Sequence, residues 1–328
     1  MSKIALAIHG GAGTILRSQM TPALEAEYRR GLESCLHVGW RVLQHAGSAL
    51  DAVEAAVISL EDFPLFNAGR GSVFTHEGKN EMDASIMDGS TLDAGAVAFV
   101  KNVKNPIRLA RLVMEKTGHV LLGGAGANQF ALEMGVELAD DAYFFTEHRY
   151  MQLLRAREEG VVELDHTIGE ASIVDQTDIV TGSETERQVR TGKPLGTVGA
   201  VACDKAGRLA AATSTGGMTN KKYGRVGDTP LIGSGTYADG TCAVSGTGHG
   251  EYFMRGVTAF DVAARMKYKA LSLEEAARET VEYLKSIGGE GGLIAVDAQG
   301  HVTLLFNSEG MYRGYMSDAG VPRTEIYR

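Results

Sequence analysis

The chain has 328 residues, 44% of them hydrophobic and 22% charged, which is enough apolar material for one large layered core or two domains. A net charge of −9 without a basic stripe argues against a nucleic-acid partner, and no run approaches the roughly 18 apolar residues of a membrane span. Cys35, Cys203 and Cys242 lack any metal or disulfide spacing and read as small buried thiols; with too short an apolar stretch at Met1–His9 for a signal peptide, the expectation is a soluble cytoplasmic protein.

Ile4–Ile8 predicts a buried strand that ends at the cluster His9-Gly10-Gly11-Ala12-Gly13. Helical spacing of Leu24, Tyr28, Leu32, Cys35, Leu36 and Val42 predicts a helix from about Pro22 to His45. Ser48 caps a second helix, with Asp51 as a loose capping-box partner, running to about Leu60. Pro64–Gly71 is a loop, followed by strands near Glu81–Met87 and Gly95–Val100. Helices fit Pro106–Lys116, Ala127–Met134 and Glu147–Glu158. From Glu159 to Leu195 the periodicity is weak and aromatics are absent, so this stretch reads as a mobile linker.

Beyond it the pattern turns to short β runs, Val198–Asp204, Leu209–Thr213 and Cys242–Ser245. Helices then fit Tyr252–Lys267 and Leu273–Ile287. A final β-pair fits Gly292–Asp297 and Val302–Phe306, turning at Asp297-Ala298-Gln299-Gly300. Strands flanked by helices in both halves suggest sheets stacked between helical layers.

Several chemistries fail on their spacing. No H-E-x-x-H or C-x-x-C is present for a metal, no lysine follows Gly10–Gly13 for a P-loop, and Val244-Ser245-Gly246 lacks the first glycine of a serine elbow. An N-terminal threonine nucleophile survives. Cutting the Gly196–Thr197 bond would give Thr197 both a hydroxyl and a free α-amine able to deprotonate it. Gly246-Thr247-Gly248-His249-Gly250-Glu251 could supply oxyanion donors, or be a plain glycine turn or anion-holding helix start. Arg225 and Asp228 could clamp the carboxylate and ammonium of an amino-acid substrate, or simply pair with each other at the surface. Thr215, ending the neighbouring strand, is placed to orient Thr197.

Thr197-Val198-Gly199-Ala200-Val201, Thr213–Lys221, Gly224-Arg225-Val226-Gly227-Asp228 and Thr247–Glu251 resemble the plant-type (type III) L-asparaginase and isoaspartyl peptidase family of N-terminal-nucleophile hydrolases. His9–Gly13, Pro64–Gly69, Met82–Gly89 and Phe306–Arg313 extend the resemblance over nearly the whole chain. It implies an αββα sandwich and self-cleavage into an α chain, 1–196 with its linker at about 159–196, and a β chain, 197–328. It also implies a dimer of αβ heterodimers. The implied nucleophile is Thr197, oriented by Thr215, with Thr247 and Gly248 as the oxyanion hole. Arg225, Asp228 and Gly250 would bind substrate, Asn67 would approach the nucleophile, and the His9–Gly13 loop would line the cleavage site. Backbone carbonyls of Leu60, Glu61, Phe63, Phe66, Ala68 and Arg70 would hold a structural sodium ion, with no cofactor for catalysis. The implied substrates are β-aspartyl dipeptides and, less efficiently, L-asparagine. A glycosylasparaginase-like amidase and an uncleaved small-anion-binding protein are the competing readings. Gly246, where the family often has Cys or Ala, would loosen the oxyanion loop.

Overall fold

The computed structural model describes residues 4–162, 196–317 and 320–328, so most of the segment expected as a linker lies outside the described residues. The chain starts in β1 (Ala5–Gly13) and runs through α1 (Pro22–Gln44) and α2 (Ala49–Glu61) to the hairpin of β2 (Met82–Asp88) and β3 (Ala94–Val100). Next come α3 (Pro106–Lys116), β4 (Leu121–Gly123), α4 (Gly124–Glu133), α5 (Asp141–Phe144) and α6 (Glu147–Glu158). The second half carries β5 (Val198–Cys203), β6 (Leu209–Thr215), β7 (Thr236–Ala238), β8 (Cys242–Gly248), α7 (Gly250–Gly256), α8 (Thr258–Lys269) and α9 (Leu273–Ser286). It ends in β9 (Gly291–Asp297), β10 (Val302–Phe306), β11 (Gly310–Met316) and β12 (Arg323–Tyr327).

Two sheets form. The larger has the order β12-β11-β1-β5-β6-β2-β3-β4, and the smaller β10-β9-β8-β7; only the β3–β4 pair is parallel. The period of two along each strand separates three apolar layers. Leu6, Ile8, Val198, Ala200, Ala210 and Ala212 face α1, α2 and α3. Ala5, Ala7, Val201, Cys203 and Ala211 face the other way and meet Ala243, Ile294 and Val296 between the sheets. Cys242, Val244, Leu293 and Ala295 then pack under α8 and α9. The layering is therefore helix, sheet, sheet, helix, as expected. Each fully buried Leu or Ile contributes about 1.5–3 kcal/mol to it. Small residues dominate the middle layer, which lets the sheets approach.

Local rules fix the helix starts. Thr21 accepts from Leu24 N with Pro22 just inside α1, Ser48 accepts from Asp51 N, and Ser272 with Glu275 completes a capping box on α9. Four expectations need correction. β1 does not stop at Ile8: it runs through the glycines, pairing with β11 across a bulge at Gly10. The single helix expected at Tyr252–Lys267 is two, divided by Val257 in the left-handed region at φ 47°. Strands β4 and β7 and the short helix α5 carry too few residues for periodicity to show. The pair β9–β10 is not final, because β11 returns to the large sheet beside β1. Among the described residues no helix is long and apolar enough to cross a membrane. All three cysteines are free and buried.

Candidate active site

Strand register creates the site. β5 and β6 are antiparallel with Val198 opposite Ser214, so Thr197 and Thr215 face each other at the same end of the large sheet. Their hydroxyls are 3.1 Å apart, and Thr215 Oγ1 also lies 3.2 Å from the carbonyl oxygen of Gly196. That carbonyl can only accept, so the Thr215 proton points to it. Gly217 N–H donates to the same Thr215 oxygen at 2.9 Å, from a backbone at φ 76° that glycine adopts readily. The Thr197 hydroxyl proton is left to donate to Thr215.

A small pocket opens at this hydroxyl pair. Its wall includes Gly196, Thr197, Thr215, Arg225, Asp228 and Gly248, so six expected residues meet at one place. Thr247 precedes Gly248 in the last two residues of β8, and its hydroxyl accepts from Ala12 N at 3.3 Å, keeping its own proton available. Gly250 sits against the clamp: a Cβ there would be 2.8 Å from Arg225 Nη2 and 2.9 Å from Asp228 Oδ1. Asn67 does not reach the pocket wall. Its amide instead donates to Gly217 O at 2.8 Å and accepts from Val73 N at 3.0 Å, fixing the turn that carries the Gly217 donor.

Arg225 and Asp228 do not form a surface pair with each other. Arg225 is held in a two-pronged bond by Glu251, through Nε at 2.9 Å and Nη2 at 3.0 Å. Asp228 is buried, with Oδ2 lacking a hydrogen-bond partner among the described residues. Burial pushes its carboxyl up to about 7, against the opposing pull of Arg225. The site thus sets an unpaired buried carboxylate oxygen beside a guanidinium that is itself held by Glu251.

The His9–Gly13 loop was expected beside the cleavage site, but the individual side-chain contacts of His9, Ser245, Thr213 and Glu61 escaped the sequence reading. His9 lies fully buried on β1, with Nδ1 2.9 Å from Thr197 O and Nε2 2.9 Å from Ser245 Oγ. A carbonyl only accepts, so Nδ1 carries the proton and Nε2 accepts from Ser245. Burial, against the hydrogen bond to Thr197, pulls the imidazole down to about 3, so it stays neutral. His9 thus grips the backbone of Thr197 directly. Ser245 continues to Thr213 Oγ1 at 2.7 Å, and a Cβ on Gly199 would collide with both Ser245 and His9. Glu61 accepts from Ser214 Oγ at 2.7 Å, bracing the residue before Thr215. The available signal was hydroxyl residues inside apolar strand runs, as in Ala212-Thr213-Ser214 and Val244-Ser245. At Gly246 a Cβ would meet the Phe253 ring at 2.7 Å, so the ring occupies the space that a Cys or Ala side chain would take.

Known proteins resemble this chain over its whole length. The family described as asparaginase matches residues 2–326. The isoaspartyl peptidase of Salmonella typhimurium is 50% identical over all of both chains. That of Escherichia coli is 49% identical over all of this chain and 97% of its own. A probable isoaspartyl peptidase/L-asparaginase 2 of Arabidopsis thaliana is 42% identical over 98% of each. With the family match spanning nearly every residue and the layered fold in agreement, the chain belongs to the asparaginase family.

Proposed function

We propose that this protein is a self-processing amidohydrolase that cleaves β-aspartyl dipeptides and L-asparagine through Thr197. The observation that carries the reading is the meeting of the Thr197–Thr215 hydroxyl pair with Arg225 and the unpaired buried Asp228 in one pocket. Relatives named isoaspartyl peptidase support it over the sugar–asparagine alternative. In maturation the Thr197 oxygen attacks the Gly196 carbonyl carbon while Thr215 polarises that carbonyl. The peptide C–N bond breaks, an ester forms, and the nitrogen takes up the proton that the hydroxyl gave up, becoming the free amine of Thr197. Water then hydrolyses the ester to the Gly196 carboxylate, giving chains 1–196 and 197–328 that stay together as one folded unit.

In turnover the new α-amine takes the hydroxyl proton as the Thr197 oxygen adds to the substrate β-amide. Thr247 O–H and Gly248 N–H receive the developing oxyanion. The amine returns the proton to the leaving nitrogen, and water releases aspartate from the ester. Arg225 holds the substrate α-carboxylate and Asp228, with Gly250 leaving room beside them, holds the α-ammonium.

The proposal extends to a cytoplasmic dimer of such cleaved pairs and to a structural sodium ion. For the ion, the loop carrying Leu60, Glu61, Phe63, Phe66, Ala68 and Arg70 offers hard oxygen donors. Gly69 and Gly71 let the Glu61 and Phe66 carbonyls crowd inward where a Cβ would clash at 2.5 and 2.1 Å. Intact-mass spectrometry joined to a panel of β-Asp-Leu, L-asparagine and N-acetylglucosaminyl-asparagine tests the function. Two chains with preferential turnover of β-Asp-Leu is the expected result; preferential turnover of the glycosylated substrate would favour the alternative.

A further inference from the structure

Lys221 is a fully buried lysine in a loop that the chemistry above leaves unused. Its ammonium donates to two backbone carbonyls, Glu81 O at 2.7 Å and Gly216 O at 2.9 Å. The second contact is informative because Gly216 C=O and Gly217 N–H belong to one peptide group. On the far side of that peptide, Gly217 N–H donates to Thr215 Oγ1 at 2.9 Å, and Thr215 Oγ1 meets Thr197 Oγ1 at 3.1 Å. A Cβ on Gly217 would stand 3.0 Å from Lys221 Nζ and 3.6 Å from Arg225 Nη1, so two cations approach this residue on the side where a Cβ would project.

Burying an ammonium is costly, and at Lys221 that cost is offset by the buried carboxyl of Asp83 together with the two carbonyls. A cation on the carbonyl oxygen polarises the peptide and strengthens the N–H on its other side, as hydrogen bonds in series do. We infer that Lys221 is a positioning residue for the nucleophile, acting through the Gly216–Gly217 peptide to hold Thr215 in the orientation that serves Thr197. With Gly217 N–H on one lone pair of Thr215 Oγ1 and Thr197 O–H on the other, the Thr215 proton is directed to Gly196 O. Once Gly196 has been cut away, that proton is free to turn to Thr197 Oγ1 as the amine removes its own. Lys221 thus supports maturation and turnover by the same contact. The inference rests on Thr197 being the nucleophile.

Charged neighbours bear on the test. Asp83, Glu81, Lys101 and Arg225 face Lys221, while Arg225 and Asp228 share the pocket with Thr197 and neutral His9 holds its carbonyl. At saturating substrate Arg225 and Asp228 are engaged, so the acid limb of kcat reports the Thr197 amine. Lys221→Met removes the cation and both donors; Lys221→Gln keeps a donor and removes the charge. Each folded variant should mature more slowly, with kcat lower by about tenfold to 10²-fold, the range for misplaced reacting groups. KM should change little, and the acid limb of kcat should move to higher pH, because a nearby cation disfavours the protonated amine. Wild-type kcat in a folded variant would overturn the inference. So would activity lost with the limb unmoved, or loss of the fold in both variants, each of which reduces Lys221 to a backbone prop. Thr197→Ala run in parallel separates the two levels: if it is still cut and active, the nucleophile reading itself fails.

Discussion

Thr215 Oγ1 stands 3.1 Å from Thr197 Oγ1 and 3.2 Å from Gly196 O, so one hydroxyl touches both the attacking oxygen and the carbonyl it would attack. It accepts from the first and donates to the second. Thr215→Val keeps the shape and removes both contacts. Loss of a donor to a developing oxyanion costs on the order of 10²–10³ in rate, and maturation of Thr215→Val should slow accordingly, while Thr215→Ser should mature. Thr197→Ala should remain one chain. Intact-mass spectra over time check this, and purified wild-type protein that stays full length after long incubation would refute self-cleavage.

Arg225 offers a planar fork, and Glu251 already lies along it. A substrate carboxylate must share or displace that partner, which needs the guanidinium geometry rather than charge alone. Arg225→Lys should lower kcat/KM for a β-aspartyl dipeptide by at least about tenfold, since a charged hydrogen bond is worth about 1.5–3 kcal/mol. Arg225→Ala should lower it further. Unchanged kinetics in both folded variants would leave Arg225 as the partner of Glu251 and nothing more.

Asp228 supplies a pH dependence. Burial raises its carboxyl to about 7. Only the ionised form attracts an ammonium, so KM should rise as pH falls below about 7, approaching tenfold per unit. A β-amide substrate lacking the α-amino group should show no such limb. Stability runs the other way. The unfolded chain loses this proton near about 3.9, so between there and about 7 the folded state holds a proton the unfolded state has lost, and stability falls as pH rises. Asp228→Asn should flatten both trends, measured as KM and as thermal midpoint against pH.

How much of this was legible depended on sequence distance. Thr215 beside Thr197 and the Ser48 cap of α2 were legible locally, whereas the Thr21 and Ser272 caps and the β5–β6 register emerge only in the structure. The glycine cluster after Ile8 hid a continuing strand, because glycines read as loop until β11, from the far end of the chain, pairs with them. The break at Val257 comes from tertiary packing, not from a proline. His9 and Thr197 lie 188 residues apart, so nothing local joins them. Glu251 stood in a quoted motif, yet its hold on Arg225 exists only once α7 turns back over the loop.

His9 and His249 make the sharpest contrast. His249 lies 3.4 Å from Glu251 at the rim, whereas His9 is fully buried and donates to the backbone of Thr197 itself. His9 is not positioned as the base: its Nδ1 proton is committed to a carbonyl and its Nε2 to Ser245. His9→Ala should remove the side-chain donor to Thr197 O and the acceptor of Ser245 Oγ and slow maturation severely, while His249→Ala should mature and retain most activity. Linkage gives a second readout. With the folded pKa near 3 and the unfolded value near about 6.5, protons bind the unfolded chain first as pH falls. The wild type should therefore lose stability below about pH 6.5 at up to about 1.4 kcal/mol per unit, and His9→Ala should lack that slope. In turnover, activity should fall as pH drops through the pKa of an amine whose reference is about 7.7–8.0. A His249→Ala protein that matures normally yet is inactive would replace the amine with a histidine-assisted mechanism.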